Sequence, residues 1–134
     1  MTDVVALVRQ YGKDARAASR VLAAATSAQK NQALLKMADL LEAQQAEVLN
    51  ANAQDTAAAE ANGLDAAMVD RLRISAKSIA QMAEGVRQVA TLADPVGEMD
   101  DFKLLDNGLQ LGKMRAPLGV VGMIYESRPN VTID

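Results

Sequence analysis

The sequence predicts an α/β chain, with helices in front and a strand behind, and three observations carry that prediction. Apolar residues recur at spacings of three and four through roughly the first two thirds of the 134 residues; an Asn-Gly pair then sits between two short apolar segments; and the run Val120 to Ile124 is apolar at every position. The first pattern is helical and the second marks a hairpin. The third is what a strand covered on both faces requires.

The elements follow in order. Val4 to Ala25 places Val4, Leu7, Val8, Tyr11, Ala15, Ala18, Val21, Leu22 and Ala25 on one helical face, expected to turn inward. Thr26 and Gln29 have the spacing of a capping box, so a second helix is expected to start there, with a core stripe of Leu34, Met37, Leu41 and Val48 broadened by Leu35, Ala38 and Leu49. Asn50 to Ala61, rich in alanine, either continues that helix after a break at the asparagines or begins another. Asn62-Gly63 is a stop, because glycine takes the left-handed cap conformation at little cost. Asp65 then caps a short helix bearing Met68, Val69 and Leu72. Ser75 caps a longer one bearing Ile79, Met82, Val86 and Val89. Asp94-Pro95-Val96-Gly97 ends the helical part.

Beyond it, Phe102, Leu104 and Leu105 precede Asp106-Asn107-Gly108, and Leu109, Leu111 and Met114 follow. Both Asn and Gly accept positive φ, so a tight hairpin with one buried face is expected, Gly112 relieving crowding or permitting a bulge. Three segments result: a helical framework over 1–96, a hairpin over 97–116, and over 117–134 the start of an α/β nucleotide-binding domain.

Composition narrows the chemistry. Half of the residues are hydrophobic but only 2% aromatic, so the core must be aliphatic and alanine-rich. The net charge of -3 comes without a basic block, which leaves no electrostatic footprint for nucleic acid. No apolar run reaches the length of a membrane helix, and the amino terminus does not read as a targeting segment, so a cytoplasmic protein is expected. Cysteine and histidine are both absent, which removes thiolate and imidazole catalysis and the common zinc ligand sets from this chain; no metal site is expected.

Polar residues gather where a buried strand would end, the place where open α/β sheets present ligands. Arg128 can fork onto a carboxylate or phosphate, and Asn130 can donate to a developing oxyanion. On the residues alone the plainer alternative stands beside this one, with Arg128 paired to Glu126 or another acid and Asn130 shaping the turn.

PLGVVGMIYESRPNVT, together with LEAQQAEVLNANAQD, ANGLDAAMVDRL and VRQVATLADPVGE, resembles the gamma-glutamyl phosphate reductase family of the aldehyde dehydrogenase superfamily, nearly end to end and in the same order. The resemblance implies an aldehyde dehydrogenase-like fold and the amino-terminal portion of a longer enzyme. That family reduces L-glutamate 5-phosphate to L-glutamate 5-semialdehyde with NADPH, through a cysteine thiolate that would lie outside this chain; the 134 residues alone are expected to be inactive. It further implies that Tyr125, Glu126 and Ser127 line the cofactor side, that Arg128 and Asn130 face the anionic substrate, and that Asn130 is the catalytic oxyanion donor. Glu126 to Asn130 stands where the superfamily commonly has proline, an aromatic residue and asparagine. Gly119 and Gly122 do not form a G-x-G-x-x-G phosphate turn. A homo-oligomer and an association with glutamate 5-kinase also go with the resemblance. The alternatives are a related acyl or aldehyde oxidoreductase and a non-catalytic helical interaction module.

Overall fold

A computed structural model describes residues 3–126 and 128–133. The chain divides into two units, one running to Ser27 and resuming over Ala93–Gly122, the other made of Ala28–Leu92 and the described residues from Met123 onward.

In the first unit, helix α1 spans Val4–Ala24. Asp3 caps it, its carboxylate accepting from the N–H groups of Val5 and Ala6 at 3.0 and 3.1 Å, two of the four donors that a helix start leaves unpaired. The stripe expected to form core is in place, yet no residue of α1 is buried; Tyr11 is 62% and Val21 73% exposed. Helical periodicity supplies a face and cannot supply a layer to cover it. The rest of this unit is a two-stranded hairpin and extended chain.

The hairpin pairs β1, Met99–Leu104, with β2, Gln110–Met114, antiparallel. Its turn differs from the one in which both Asn107 and Gly108 take positive φ. Only Gly108 does, at 82°, while Asn107 turns its side chain back to accept from the Leu109 N–H at 3.1 Å. Leu105 O accepts from the Gly108 N–H at 2.8 Å, and the Leu105 N–H donates to Leu109 O at 2.9 Å. These bonds describe a three-residue loop with glycine at the left-handed position. The bulge lies in β1, where Asp101 and Phe102 oppose Gly112, and Asp101 takes the positive φ of 55° that short acidic side chains tolerate. Gly112 relieves crowding: a Cβ there would stand 3.0 Å from the Phe102 ring. Neither strand has the expected buried face.

The run Val120 to Ile124 is not a strand and is not buried. Val121 is 72% exposed and Ile124 wholly so. A strand needs a neighbour for its N–H and C=O groups, and among the described residues β1 and β2 pair only with each other.

The second unit is the helical framework. Helices α2, Ser27–Ala43, and α3, Gln45–Ala61, meet at Gln44 rather than at the asparagines. The i to i−4 pattern persists across the joint, the Gln44 N–H donating to Leu40 O at 2.9 Å and the Val48 N–H to Gln44 O at 3.1 Å. Helix α3 ends as expected at Asn62-Gly63. Gly63 has φ of 77°, its N–H donates to Glu60 O at 3.0 Å, and the Leu64 N–H reaches Ala59 O at 3.1 Å, the two bonds of a Schellman cap. Asp65 caps α4, Ala66–Leu72, and Ser75 caps α5, Ala76–Thr91. Ser78 completes a reciprocal box with Ser75, returning its hydroxyl to the Ser75 N–H at 2.8 Å.

The core is small-residue packing, as the composition requires. Ala38, Ala83 and Val86 form its centre, with Leu34, Leu41 and Ile133 against them and Ile79 almost fully buried on the same helix as Ala83. The second stripe is therefore only partly core: Ala38 is buried, Leu34 and Leu41 are half-buried, and Leu35 and Met37 remain exposed. Only the row through Leu34, Ala38 and Leu41 meets the cluster with Ala83 and Val86.

At the edge of this core Arg87 of α5 ties to α2. Its fork meets both oxygens of Glu42 at 2.9 and 2.7 Å, and one arm reaches Asp39 at 3.1 Å. The hydrogen bond from Arg87 holds the Glu42 carboxyl below the ordinary glutamate range and raises the guanidinium further. A depressed carboxyl contributes stability above the unfolded-state value and loses it as pH falls through the folded one. Arg87→Gln should accordingly lower the urea midpoint at neutral pH, and the gap from the parent should narrow as pH falls from the ordinary glutamate range and close only below it, through the lowered value of Glu42. Urea titrations of both proteins across and below that range check this; a gap independent of pH contradicts it.

Candidate functional site

Asn52 lies mid-helix in α3, is 7% exposed, and carries a side chain that could not be buried there without partners. Its partners are the last residue of α4 and a residue of the link to α5. Its Nδ2 donates to Leu72 O at 2.8 Å, and its Oδ1 accepts from the Ile74 N–H at 2.7 Å. One amide thus holds the backbone on either side of Arg73. That fixes where α4 ends and α5 begins, and so positions Arg71 in the last turn of α4 and Arg73 at its C-cap.

The other side of the site comes from the short 3-10 turn Pro129–Thr132. Ile133, directly after it, packs on Ala38, Ala83 and Val86, which anchors the turn to the core. Tyr125 adds a clip, its hydroxyl hydrogen-bonded to the Thr132 hydroxyl across the intervening loop.

Between these anchors lies a cavity of about 300 Å³ lined by Arg71, Arg73, Ile74, Ser78, Gln81, Met82, Pro129 and Asn130. Its electrostatics favour an anion. Arg73 is 3.5 Å from Glu60, with both side chains more than half exposed, so that pair is loose and screened. Arg71 has no ion-pair partner among the described residues. The N-terminal turns of α5 contribute the positive end of a helix dipole. The Ser78 hydroxyl is engaged with Ser75 and takes no part in this.

Of the residues singled out in the sequence, Asn130 lines this cavity. Arg128 immediately precedes the turn and is exposed, its carbonyl accepting from the Val131 N–H at 3.1 Å. No ion pair joins it to Glu126 among the described residues. Tyr125 and Glu126 are also outside the cavity lining, and Ser127 lies outside the described residues. The structure therefore brings Asn130 together with two arginines that sequence reasoning passed over. Their signal was present in Asp70-Arg71-Leu72-Arg73 before the Ser75 cap, but a cation at a helix end has an ordinary explanation in the dipole.

No family model matches the chain. It is 54% identical over 128 residues to a gamma-glutamyl phosphate reductase of Pectobacterium carotovorum, covering 96% of this chain and 31% of the relative. It is 55% identical over 123 residues to one of Vibrio cholerae, covering 92% and 30%. Two crystal structures of gamma-glutamyl phosphate reductases superpose on it with a TM-score of 0.85. The Thermotoga maritima enzyme is 41% identical over 90% of this chain and 29% of its own, and the Saccharomyces cerevisiae enzyme 35% over 92% and 32%. The chain thus resembles these reductases over nearly all of its own length, and spans about a third of theirs. Its fold is the corresponding portion of the aldehyde dehydrogenase-like fold.

Replacing Asn52 with alanine strips two backbone groups of their partner, at a cost of about 2 kcal/mol if water reaches neither fully. Asn52→Asp keeps the acceptor for Ile74 but sets a buried carboxylate oxygen against Leu72 O, and at neutral pH should be destabilised at least as much as the alanine variant. Urea unfolding of the three proteins reads this order; variant midpoints equal to the parent's contradict it.

Proposed function

We propose that this chain provides the helical framework and one wall of the substrate cleft in an NADPH-dependent reductase that converts L-glutamate 5-phosphate to L-glutamate 5-semialdehyde and phosphate, in L-proline biosynthesis in the cytoplasm. The observation that carries the proposal is identity of 54–55% to gamma-glutamyl phosphate reductases over more than nine tenths of the chain. The cationic cavity beside Asn130 is in keeping with a substrate that carries a carboxylate and a phosphate.

The reaction needs a nucleophile, a hydride source and stabilisation of developing negative oxygen. With no cysteine in its 134 residues, this chain contributes to the third. Asn130 donates its side-chain N–H to the oxyanion formed when the acyl carbon is attacked, and Arg128 takes the substrate's negative charge. Tyr125 and Glu126 face the cofactor, and Ser127, outside the described residues, is assigned to the same side by family resemblance alone. Tyr125 is 46% exposed, and a half-open ring suits stacking against a nicotinamide or ribose; when bound, NADPH supplies the hydride. Gly119 and Gly122 build no phosphate turn, so the chain offers one edge of a cofactor site and not its phosphate cradle. A homo-oligomer and association with glutamate 5-kinase, whose chemistry makes this acyl phosphate, belong to the same proposal.

Purified as it stands, the 134-residue chain should oxidise no NADPH in the presence of L-glutamate 5-phosphate; turnover that co-purifies with the 134-residue species contradicts the assignment of the nucleophile elsewhere. In a reductase extended to the full length of the matched relatives, Asn130→Ala should lower kcat about a hundredfold, the loss of one oxyanion donor worth roughly 3 kcal/mol. Arg128→Ala should chiefly raise KM for the acyl phosphate. If both variants keep parental kcat/KM per folded site, these two residues do not serve the reacting end.

A further inference from the structure

We propose that the cavity between the carboxyl end of α4, the first turns of α5 and Asn130 is an oxyanion subsite, with Arg71 as its fork, that holds a carboxylate or phosphate group of the substrate. Anion binding is argued from the cavity alone; the identity of the substrate rests on the reductase reading.

Three features of the cavity converge on this chemistry. First, the lining carries two guanidiniums, Arg71 and Arg73, beside the positive N-terminal end of α5, and these two full charges outweigh the roughly half negative charge at the carboxyl end of α4. Glu60 offsets part of the Arg73 charge at 3.5 Å, and no ion pair among the described residues engages Arg71. Second, Asn130 and Gln81 share the lining, so neutral polar side chains stand beside the guanidiniums. Third, Ile74 and Met82 give the same cavity an apolar wall. A short aliphatic acid has this pattern, a charged head on a chain of methylenes. So does an acyl phosphate.

The volume agrees. About 300 Å³ is at the lower end of small-ligand sites, too large for a lone ion and suited to a compact metabolite. The Asn52 clamp adds pre-organisation, because the backbone flanking Arg73 is held before any ligand arrives. A role as dipole partner for α4 accounts for the charge of Arg71 but for neither the cavity nor the amides that share it.

The test is a titration of the 134-residue chain at constant ionic strength with L-glutamate and, separately, inorganic phosphate, followed by NMR of the arginine Nε–H and side-chain amide signals. Saturable shifts at Arg71 and Asn130 are expected, with Kd roughly millimolar for so small a ligand and about tenfold weaker in Arg71→Gln. Arg71→Lys, which keeps charge and loses the fork, should fall between them. Arg9→Gln in α1 should bind as the parent does. Shifts with L-glutamate alone assign the carboxylate end, and shifts with phosphate alone assign the phosphate end. No saturable shift with either, or shifts unchanged in an Arg71→Gln protein of parental melting temperature, overturns the subsite.

The substrate assignment is read separately in the full-length reductase. There Arg71→Gln should raise KM for L-glutamate 5-phosphate about tenfold and leave KM for NADPH alone. An unchanged KM with parental turnover intact refutes the substrate assignment. Absence of turnover in the parent refutes the reductase reading and leaves the anion titration standing.

Discussion

The constraint on which the site depends is a single buried amide. Asn52 is a poor choice for the middle of a helix by propensity and an expensive one by burial. It is stable there because its donor and acceptor are both used, on Leu72 O and the Ile74 N–H. A hydrophobic residue at this position could pack against the corner but could not tell one backbone path from another. The amide can, since only one path offers a carbonyl and an N–H two residues apart in the right places. The turn of chain that carries Arg71 and Arg73 is thereby set by α3, an element that contributes nothing to the cavity lining itself.

The other wall is positioned by an apolar anchor. Ile133 against Ala38, Ala83 and Val86 brings the 3-10 turn onto α5, and Asn130 with it. Alanine matters here, because its small side chain leaves Ile133 room to pack against the cluster that α2 and α5 share. The Arg87 fork to Glu42 and Asp39 joins the same two helices at the solvent edge. Polar clamp, apolar anchor and ion pair all act on α5 or its entrance, which makes that helix the common reference for every residue around the cavity.

Much of this was legible in the sequence wherever the signal is local. The caps at Asp65 and Ser75, the stop at Asn62-Gly63 and the hairpin around Gly108 each depend on a few adjacent residues, and the structure has them where the sequence places them. What was not legible depends on partners. Asparagine disfavours helix interiors, so the sequence points to a break at the asparagines; the break falls at Gln44, since Asn52 is retained in the helix by a corner twenty residues further on. The α1 stripe and the Val120 to Ile124 run are correctly apolar, but burial needs a covering layer and a ladder that periodicity does not encode. Arg71 shows the same limit at the site. Its helix-end position has a sufficient local explanation, and only the cavity reveals that it shares space with Asn130.

The central claim is that the Asn52 clamp holds the α4–α5 corner as firmly as the helices it joins. Amide hydrogen exchange at Ile74 tests this most directly, because that N–H donates to the Asn52 side chain and to no helix carbonyl. The account predicts protection at Ile74 comparable to the interior amides of α5, with the exposed amides of Val121 to Ile124 exchanging at rates close to those of an unstructured chain. Fast exchange at Ile74 while the interior of α5 stays protected would contradict it, and would mean that the arginines beside the cavity are not held in place.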